Sequence, residues 1–200
     1  MSNIILIGFM GCGKSTVGIR LSYKLRRIVE DTDKLIEKKA GMSIKEIFAT
    51  KGESAFREME TGCLRELLLT REEKIISTGG GLPMKRENHP LLKELGTVVY
   101  LQISPECVWE RLKNDTTRPL LQCDDPFAKI KDLLAMRAPL YEEAADIVVN
   151  VDGKDMEEVL RELMMRLKDA GVFVGGNDNE NRKEKENGSG NTPTPPPLDF

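Results

Sequence analysis

Histidine and cysteine are scarce in this chain. Its 200 residues include one histidine, at position 89, and four cysteines, at positions 12, 63, 107 and 123. The cysteines lack the paired spacing of zinc-binding motifs and do not form a disulfide framework. The N-terminus begins directly in an apolar segment, without the charged region and cleavage site of a secretory leader. These features predict reduced thiols and a cytoplasmic protein.

Long apolar runs and an excess of one charge are also missing. No apolar run approaches the ~20 residues that a membrane-spanning helix needs. Lysine and arginine number 30 against 33 aspartates and glutamates, and the two signs are interleaved along the chain. Nucleic-acid binding requires a basic stripe, which this pattern does not supply. We therefore expect small-molecule partners, with no nucleic acid and no membrane.

The last thirty residues have few large apolar side chains. From about residue 171 onward, the chain is rich in glycine, asparagine, glutamate, lysine and proline. Such a segment buries too little apolar surface to offset the entropy lost on ordering. The sequence therefore predicts one compact domain over residues 1–170 and a disordered tail over residues 171–200.

Short runs rich in β-branched residues alternate with longer helical patterns in the rest of the chain. The runs cover residues 4–7, 28–30, 74–77, 97–101 and 146–149. This alternation is typical of an α/β fold, in which helices cross over between parallel strands. The helical segment over residues 31–70 is too long for a simple crossover, and we interpret it as a substrate-binding insertion.

A glycine-rich phosphate loop follows the first apolar run. Residues 8–15 read Gly-Phe-Met-Gly-Cys-Gly-Lys-Ser, and amphipathic positions continue beyond them. In a strand–loop–helix setting, the backbone N–H groups and the helix N-terminus bind phosphate. Lys14 would reach the β- and γ-phosphates, and Ser15 would ligate Mg²⁺. The motif predicts a nucleotide site but does not define the acceptor.

Asp31-Thr32-Asp33 follows the second apolar run. The carboxyl edge of an open α/β sheet is where ligands bind, so these side chains are candidates for a site beside the phosphate loop. One carboxylate would face Mg²⁺ and the other the acceptor. The alternative is that Asp31 or Thr32 only caps the helix that begins there.

Three consecutive glycines, Gly79-Gly80-Gly81, follow the third run. Glycine loses more conformational entropy on folding than other residues, so a close approach of the backbone or a positive φ explains the triplet best. Such a turn could present N–H groups to a bound ligand. A plain tight turn is the alternative.

Arg57, Arg118 and Arg137 are the remaining candidates. Guanidinium groups bind planar carboxylates and phosphates through two hydrogen bonds, so convergence of the three would suit an anionic substrate. A solvated surface position is the ordinary interpretation of any one of them, and the sequence does not show convergence.

Together these blocks resemble the shikimate kinase family. They are residues 8–18, 31–33, 41–48, 52–57, 79–81, 118–121 and 137–141, and the likeness extends from residue 1 to about residue 169. The resemblance implies transfer of the ATP γ-phosphoryl group to the 3-hydroxyl of shikimate, on the route to chorismate and the aromatic amino acids. It also implies a three-layer P-loop kinase fold. Its five-stranded parallel sheet has the order 2-3-1-4-5, with a substrate-binding region at about 32–62 and a mobile lid at about 112–125.

The resemblance also implies roles on the acceptor side. Asp33 would bind the shikimate hydroxyls and accept the proton of the attacking one. Arg57 and Arg137 would hold the shikimate carboxylate, and Gly79 and Gly80 would supply backbone contacts.

On the nucleotide side, Lys14 and the lid residue Arg118 would neutralise the transferring phosphoryl group. Ser15 would ligate Mg²⁺, and Asp31 would assist through water. Arg111 would lie against adenine. The implied ATP-binding residues are Gly11, Cys12, Gly13, Lys14, Ser15, Thr16, Arg111, Arg118 and Lys154. We expect the enzyme to act as a monomer.

Cys12 departs from the family pattern, which usually has serine there. Because this thiol lies beside the N-terminus of the predicted helix, Cys12 is predicted to be sensitive to alkylation.

Two other functions compete with this interpretation. One is a different small-acceptor kinase, for gluconate or a nucleoside monophosphate, but the glycine triplet and the Arg57–Arg137 pair suit a compact carboxylate better. The other is a silent nucleotide-binding regulator on the same fold. A silent descendant would be expected to lose a catalytic residue, and this chain keeps them.

Overall fold

The computed structural model describes residues 3–70, 72–115 and 121–172, and the helices and strands below belong to that part of the chain. The strands are β1 (Asn3–Ile7), β2 (Ile28–Asp31), β3 (Lys74–Ser77), β4 (Gly96–Gln102) and β5 (Ile147–Asn150). The α-helices are α1 (Lys14–Leu25), α2 (Thr32–Ala40), α3 (Ile44–Leu68), α4 (Asn88–Leu95), α5 (Pro105–Leu112), α6 (Pro126–Ala144) and α7 (Met156–Asp169). A short 3₁₀ turn covers Leu82–Met84.

The five strands form one parallel sheet in the order β2-β3-β1-β4-β5. Both the parallel arrangement and the order 2-3-1-4-5 confirm the predicted fold. Because β3 lies between β1 and β2, the residues after these three strands emerge side by side at one edge of the sheet.

The core is the sheet and the helix faces that cover it. Ile4, Ile5, Ile75 and Ile76 in the central strands have no solvent exposure, as expected for parallel strands with helices on both faces. β2 is an edge strand, and its first residue, Ile28, is exposed. The central strands therefore give the functional loops a rigid base.

The connection between β2 and β3 is helical, as predicted, and consists of α2 and α3. Ser43 caps α3 in a capping box with Glu46, which satisfies two free backbone N–H groups. Gly52 breaks α3 with φ 81° and ψ 170°, a conformation that an L-residue side chain disfavours. The insertion thus has a kink before the turn that carries Arg57.

The folded chain extends slightly past the predicted end of the domain. α7 ends at Asp169, and Gly171 adopts φ 69°. Val172 is buried, and its N–H donates to Leu167 O at 3.0 Å. The predicted tail from residue 173 onward lies outside the described residues. None of the helices in the described part of the chain is long and apolar enough to cross a membrane.

Candidate active site

The phosphate loop joins β1 to α1. Gly8, Gly11 and Gly13 have φ values of 143°, 78° and 96°, which explains why glycine occupies them. At Gly8 a side chain would also overlap the carbonyl of Leu101. Lys14 Nζ lies over the loop and donates to Gly8 O at 2.7 Å. The glycines therefore permit the tight turn that exposes the N-terminus of α1.

Cys12 faces inward from this loop. Its side chain is 2% exposed, and its sulfur lies 3.6 Å from Lys14 Nζ. The predicted sensitivity to alkylation stays a prediction, and the burial of the thiol works against it because reagent access requires the loop to move.

A pocket of about 290 Å³ adjoins the phosphate loop. Arg111 on α5 donates to Gly11 O at 3.0 Å and lies across the pocket from α7. Lys154 lines the same pocket, although its Nζ already contacts Glu162 at 2.5 Å. The residues predicted from sequence that line this pocket are Gly11, Cys12, Gly13, Thr16, Arg111 and Lys154. Val151, Met156 and Val159 add an apolar wall that the sequence analysis did not identify.

Asp31 and Asp33 have different surroundings. Asp31 caps α2, and its Oδ1 accepts from the N–H groups of Asp33 at 3.0 Å and Lys34 at 3.4 Å. Asp31 therefore caps the helix, as the alternative interpretation predicts, and its further role toward Mg²⁺ stays a prediction. Asp33 is not a cap. Its Oδ1 is buried and has no hydrogen-bond partner among the described residues.

The triple glycine permits close approach by two charged side chains. A Cβ at Gly79 would overlap Asp33 Oδ1, and a Cβ at Gly81 would overlap the guanidinium of Arg57. None of the three glycines has a positive φ. Of the two reasons predicted for the triplet, close approach is the correct one. Because the turn has no side chains, Asp33 and Arg57 can both lie directly against its backbone.

The backbone groups of this turn already have partners within the chain. Gly79 N donates to Thr32 Oγ1 at 3.0 Å, and Gly80 O accepts from Tyr141 OH at 2.5 Å. These bonds hold the turn against α2 and α6. Because the N–H of Gly79 already donates to Thr32, its predicted hydrogen bond to a ligand would require that bond to break.

Arg57 lies between two carboxylates on α3. It donates to Glu60 and to Glu53, each at 2.8 Å. Glu60 is only 1% exposed, and its second oxygen is buried with no partner among the described residues. Glu60 was not among the residues predicted from the sequence, although its spacing from Arg57 is that of helical neighbours on one face.

Arg137 lies near the phosphate loop, and its guanidinium has no ion-pair partner among the residues that the structure describes. Its guanidinium carbon is 5.6 Å from the centre of the Phe9 ring, which is the geometry of a cation–π contact. Tyr141, one turn further along α6, is fully buried and reaches Gly80. α6 thus connects the phosphate loop to the triple glycine.

Two carboxyl groups in the cluster have raised pKa values. Burial, with a smaller contribution from Asp31, raises the pKa of Asp33 from 3.8 to about 6, although Lys14 and Arg57 act to lower it. Burial raises the pKa of Glu60 to about 7 against the opposing effect of Arg57. A carboxylate with a pKa near neutrality is suited to accept a proton from a hydroxyl.

Arg118 lies within residues 116–120, the part of the predicted lid that falls outside the described residues, whereas 112–115 and 121–125 are described. α5 ends at Leu112, and Leu121 is buried ahead of α6. The arginine's role in the lid stays a prediction.

The site therefore combines a phosphate loop with an adjoining nucleotide pocket and a cluster of carboxylate and guanidinium groups. This arrangement on this sheet defines a P-loop kinase with a small polar acceptor.

Comparison with known proteins identifies the family. The family model for shikimate kinase matches residues 10–168. The shikimate kinase of Sulfurihydrogenibium sp. (strain YO3AOP1) is 46% identical over 168 residues, which cover 84% of this chain and 99% of that relative. The shikimate kinase of Thermodesulfovibrio yellowstonii is 43% identical over 164 residues, covering 82% of this chain and 94% of the relative.

Solved structures agree. Shikimate kinase from Acinetobacter baumannii in complex with shikimate superposes with a TM-score of 0.79 at 37% identity, covering 86% of this chain and 96% of that one. The Aquifex aeolicus enzyme gives 0.73 at 40% identity, with 85% and 98% coverage. The chain therefore belongs to the shikimate kinase family. It is an enzyme that phosphorylates shikimate with ATP, in aromatic biosynthesis.

The gluconate kinase alternative has a structural relative as well. A gluconokinase from Sinorhizobium meliloti 1021 superposes with a TM-score of 0.52 at 16% identity, covering 93% of this chain and 98% of that one. At this identity the likeness shows a shared fold and does not extend to the acceptor.

Proposed function

We propose that Asp33 directs the γ-phosphoryl group of ATP to the 3-hydroxyl of shikimate by binding that hydroxyl and accepting its proton. The supporting observation is the unpartnered Asp33 Oδ1, buried against Gly79, in a carboxyl group whose pKa is raised to about 6. This oxygen accepts no hydrogen bond from the described residues, and a substrate hydroxyl would donate one to it.

Arg57 and Arg137 are proposed to hold the shikimate carboxylate. Arg57 lies against Gly81, and Arg137 lies over Phe9 in the phosphate loop, so the two approach the turn from α3 and α6. Glu60 fixes the guanidinium of Arg57 through one oxygen. Gly79 and Gly80 remain proposed as backbone contacts, with Gly80 O held by Tyr141.

Mg²⁺ fits the oxygen donors on the nucleotide side. The exposed hydroxyl of Ser15 is in the first turn of α1, and Asp31 supplies a carboxylate that would act through water. Mg²⁺ commonly keeps several waters and few protein ligands, so this sparse set is suitable. When bound, the ion would neutralise phosphate charge. No group of three or more acidic, histidine or cysteine side chains in the described residues forms another metal site.

ATP is proposed to occupy the pocket between α1, α5 and α7. Its phosphates would lie on the loop from Gly11 to Thr16, with Lys14 on the transferring group. Arg111 would lie against adenine, and Lys154 would border the same pocket. Arg118 would close over the phosphates from the lid and exclude water.

The oligomeric state and the cellular location of the enzyme are also part of the proposal. We propose that it acts as a monomer in the cytoplasm, where its four cysteines, all unpaired in the structure, would stay reduced. Residues 1–170 would form the catalytic unit and the tail would not contribute to turnover.

An ADP-release assay with shikimate, gluconate and AMP as acceptors tests the acceptor, and ³¹P–¹H correlation in the product tests the position of transfer. The proposal expects ADP release with shikimate alone and phosphorus coupled to the proton on carbon 3. Phosphorylation at another hydroxyl, or release driven by gluconate or AMP, would contradict it.

A further inference from the structure

A cavity of about 820 Å³ lies between α2, α3 and the edge of the sheet formed by β2 and β3. Its lining includes Ala55, Met59, Gly62 and Glu66, which follow one another at helical spacing on α3. Arg57 and Glu60 are on a different face of α3 and do not line it. The cavity is therefore separate from both the nucleotide pocket and the cluster at the triple glycine.

Gly62 is the first observation that favours a ligand site in this cavity. It lies inside α3, where glycine costs about 1 kcal/mol relative to alanine. A Cβ built at Gly62 would have no atom within 4 Å, so no neighbouring group in the described structure requires a glycine. The missing side chain instead enlarges the cavity beside α3.

Glu30 is the second such observation. One of its oxygens accepts from Lys74 Nζ at 3.0 Å, and the other is buried without a hydrogen-bond partner in the described part of the chain. A buried acceptor without a donor is unfavourable, and a ligand with a hydroxyl or N–H group would satisfy it. Glu30 and Lys74 both line the cavity.

The charge of the lining indicates what kind of molecule fits. Three lysines and three glutamates border the cavity, so their formal charges cancel. Burial raises the pKa of the Cys63 thiol to about 12, which keeps this lining group neutral. The rest of the lining is mostly aliphatic, from residues such as Leu35 and Ile36. This environment favours an uncharged, largely apolar molecule.

We propose that this α2–α3 cavity is a second ligand site, which binds a neutral, largely apolar molecule with one hydroxyl or N–H group donating to Glu30. The volume is within the usual range for small-molecule sites, roughly 300–1,000 Å³. The inference depends on the geometry of the cavity and not on the roles proposed for Asp33 and Arg57.

The test is titration calorimetry of the full 200-residue chain with 2-naphthol, a two-ring probe with one hydroxyl donor. The expected result is saturable binding of one molecule per chain. 2-Methoxynaphthalene has the same rings without the donor and should bind about tenfold more weakly, the effect of one hydrogen bond to a charged group. Equal affinity for the two probes would overturn the assignment of Glu30.

Two substitutions at one position locate the site. Gly62→Leu fills the cavity and should weaken 2-naphthol binding by about tenfold or more. Gly62→Ala should weaken it less while raising Tm by roughly 2–4 °C, because alanine favours the helix. Arg161→Leu adds the same side chain to an exposed position on α7, at the other end of the sheet, and should leave binding unchanged. No saturable binding, or unchanged binding in both Gly62 variants, would overturn the proposal.

Discussion

Asp33→Asn should make the protein more stable while it removes turnover. In the folded chain, burial and the neighbouring Asp31 raise the pKa of Asp33 from 3.8 to about 6. The ionised carboxylate is therefore less favourable in the folded state than in the unfolded chain. Asparagine has nearly the same shape and no charge, so it removes this unfavourable term together with the proposed proton acceptor.

The magnitude follows from the pKa shift. A shift of one unit corresponds to about 1.4 kcal/mol, so a change from 3.8 to about 6 is worth at most about 3 kcal/mol. Because the folded-state pKa is raised, the folded chain binds more protons, and stability falls as pH rises between about 4 and 6. The variant's advantage should be small at about pH 4 and reach its full value above about pH 6.

Urea unfolding at about pH 4 and about pH 8 measures the difference. The control is Asp132→Asn, which makes the same chemical change at an exposed position on α6 and should alter stability by about 0.5 kcal/mol or less. A stability gain that does not change with pH, or a variant less stable than wild type at about pH 8, would refute the reasoning.

Three further predictions concern other parts of the molecule. Tyr141→Phe removes only the hydroxyl that holds Gly80 O; KM for shikimate should rise several-fold with KM for ATP unchanged in steady-state kinetics, and equal effects on both would contradict a positioning role. Arg26 caps α1 in the left-handed conformation at φ 53°, so Arg26→Gly should raise the free energy of unfolding, measured in urea, by about 1 kcal/mol and leave kcat unaltered. A lower free energy of unfolding would contradict backbone strain at Arg26. Iodoacetamide should modify exposed Cys123 well before buried Cys12 in peptide mass mapping, and the reverse order would show that the loop opens readily.

Much of the fold follows from local sequence patterns. The apolar runs around Ile5 and Ile76 are short, β-branched and followed by glycines, so strands and functional turns could be identified without a structure. Ser43 and Glu46 mark the start of α3 in the same way. The order of the strands depends on contacts between distant segments, and it came from the family resemblance and not from any local pattern.

The site was only partly predictable, because side-chain direction depends on tertiary packing. The sequence predicts different roles for the two aspartates, but only the structure shows that Asp31 caps α2 while Asp33 reaches Gly79. Glu60 contacts Arg57 from the buried face of α3, and Tyr141 contacts Gly80, which is 61 positions away in the sequence. The spacing of Glu60 from Arg57 predicts that the two side chains can pair, but the burial of Glu60 does not follow from residue type, since most glutamates are exposed.

The roles proposed for the acceptor site are tested most directly by separate titrations of shikimate and of MgATP into wild type and Arg57→Ala. Removing a charge-assisted, two-point contact should weaken shikimate binding by about a hundredfold while MgATP affinity stays within about twofold. The Glu53→Ala variant, which keeps Arg57 and its bond to Glu60, serves as the control and should stay close to wild type for both ligands. Undiminished shikimate affinity in Arg57→Ala, or an equal loss of both affinities, would contradict the proposed acceptor site.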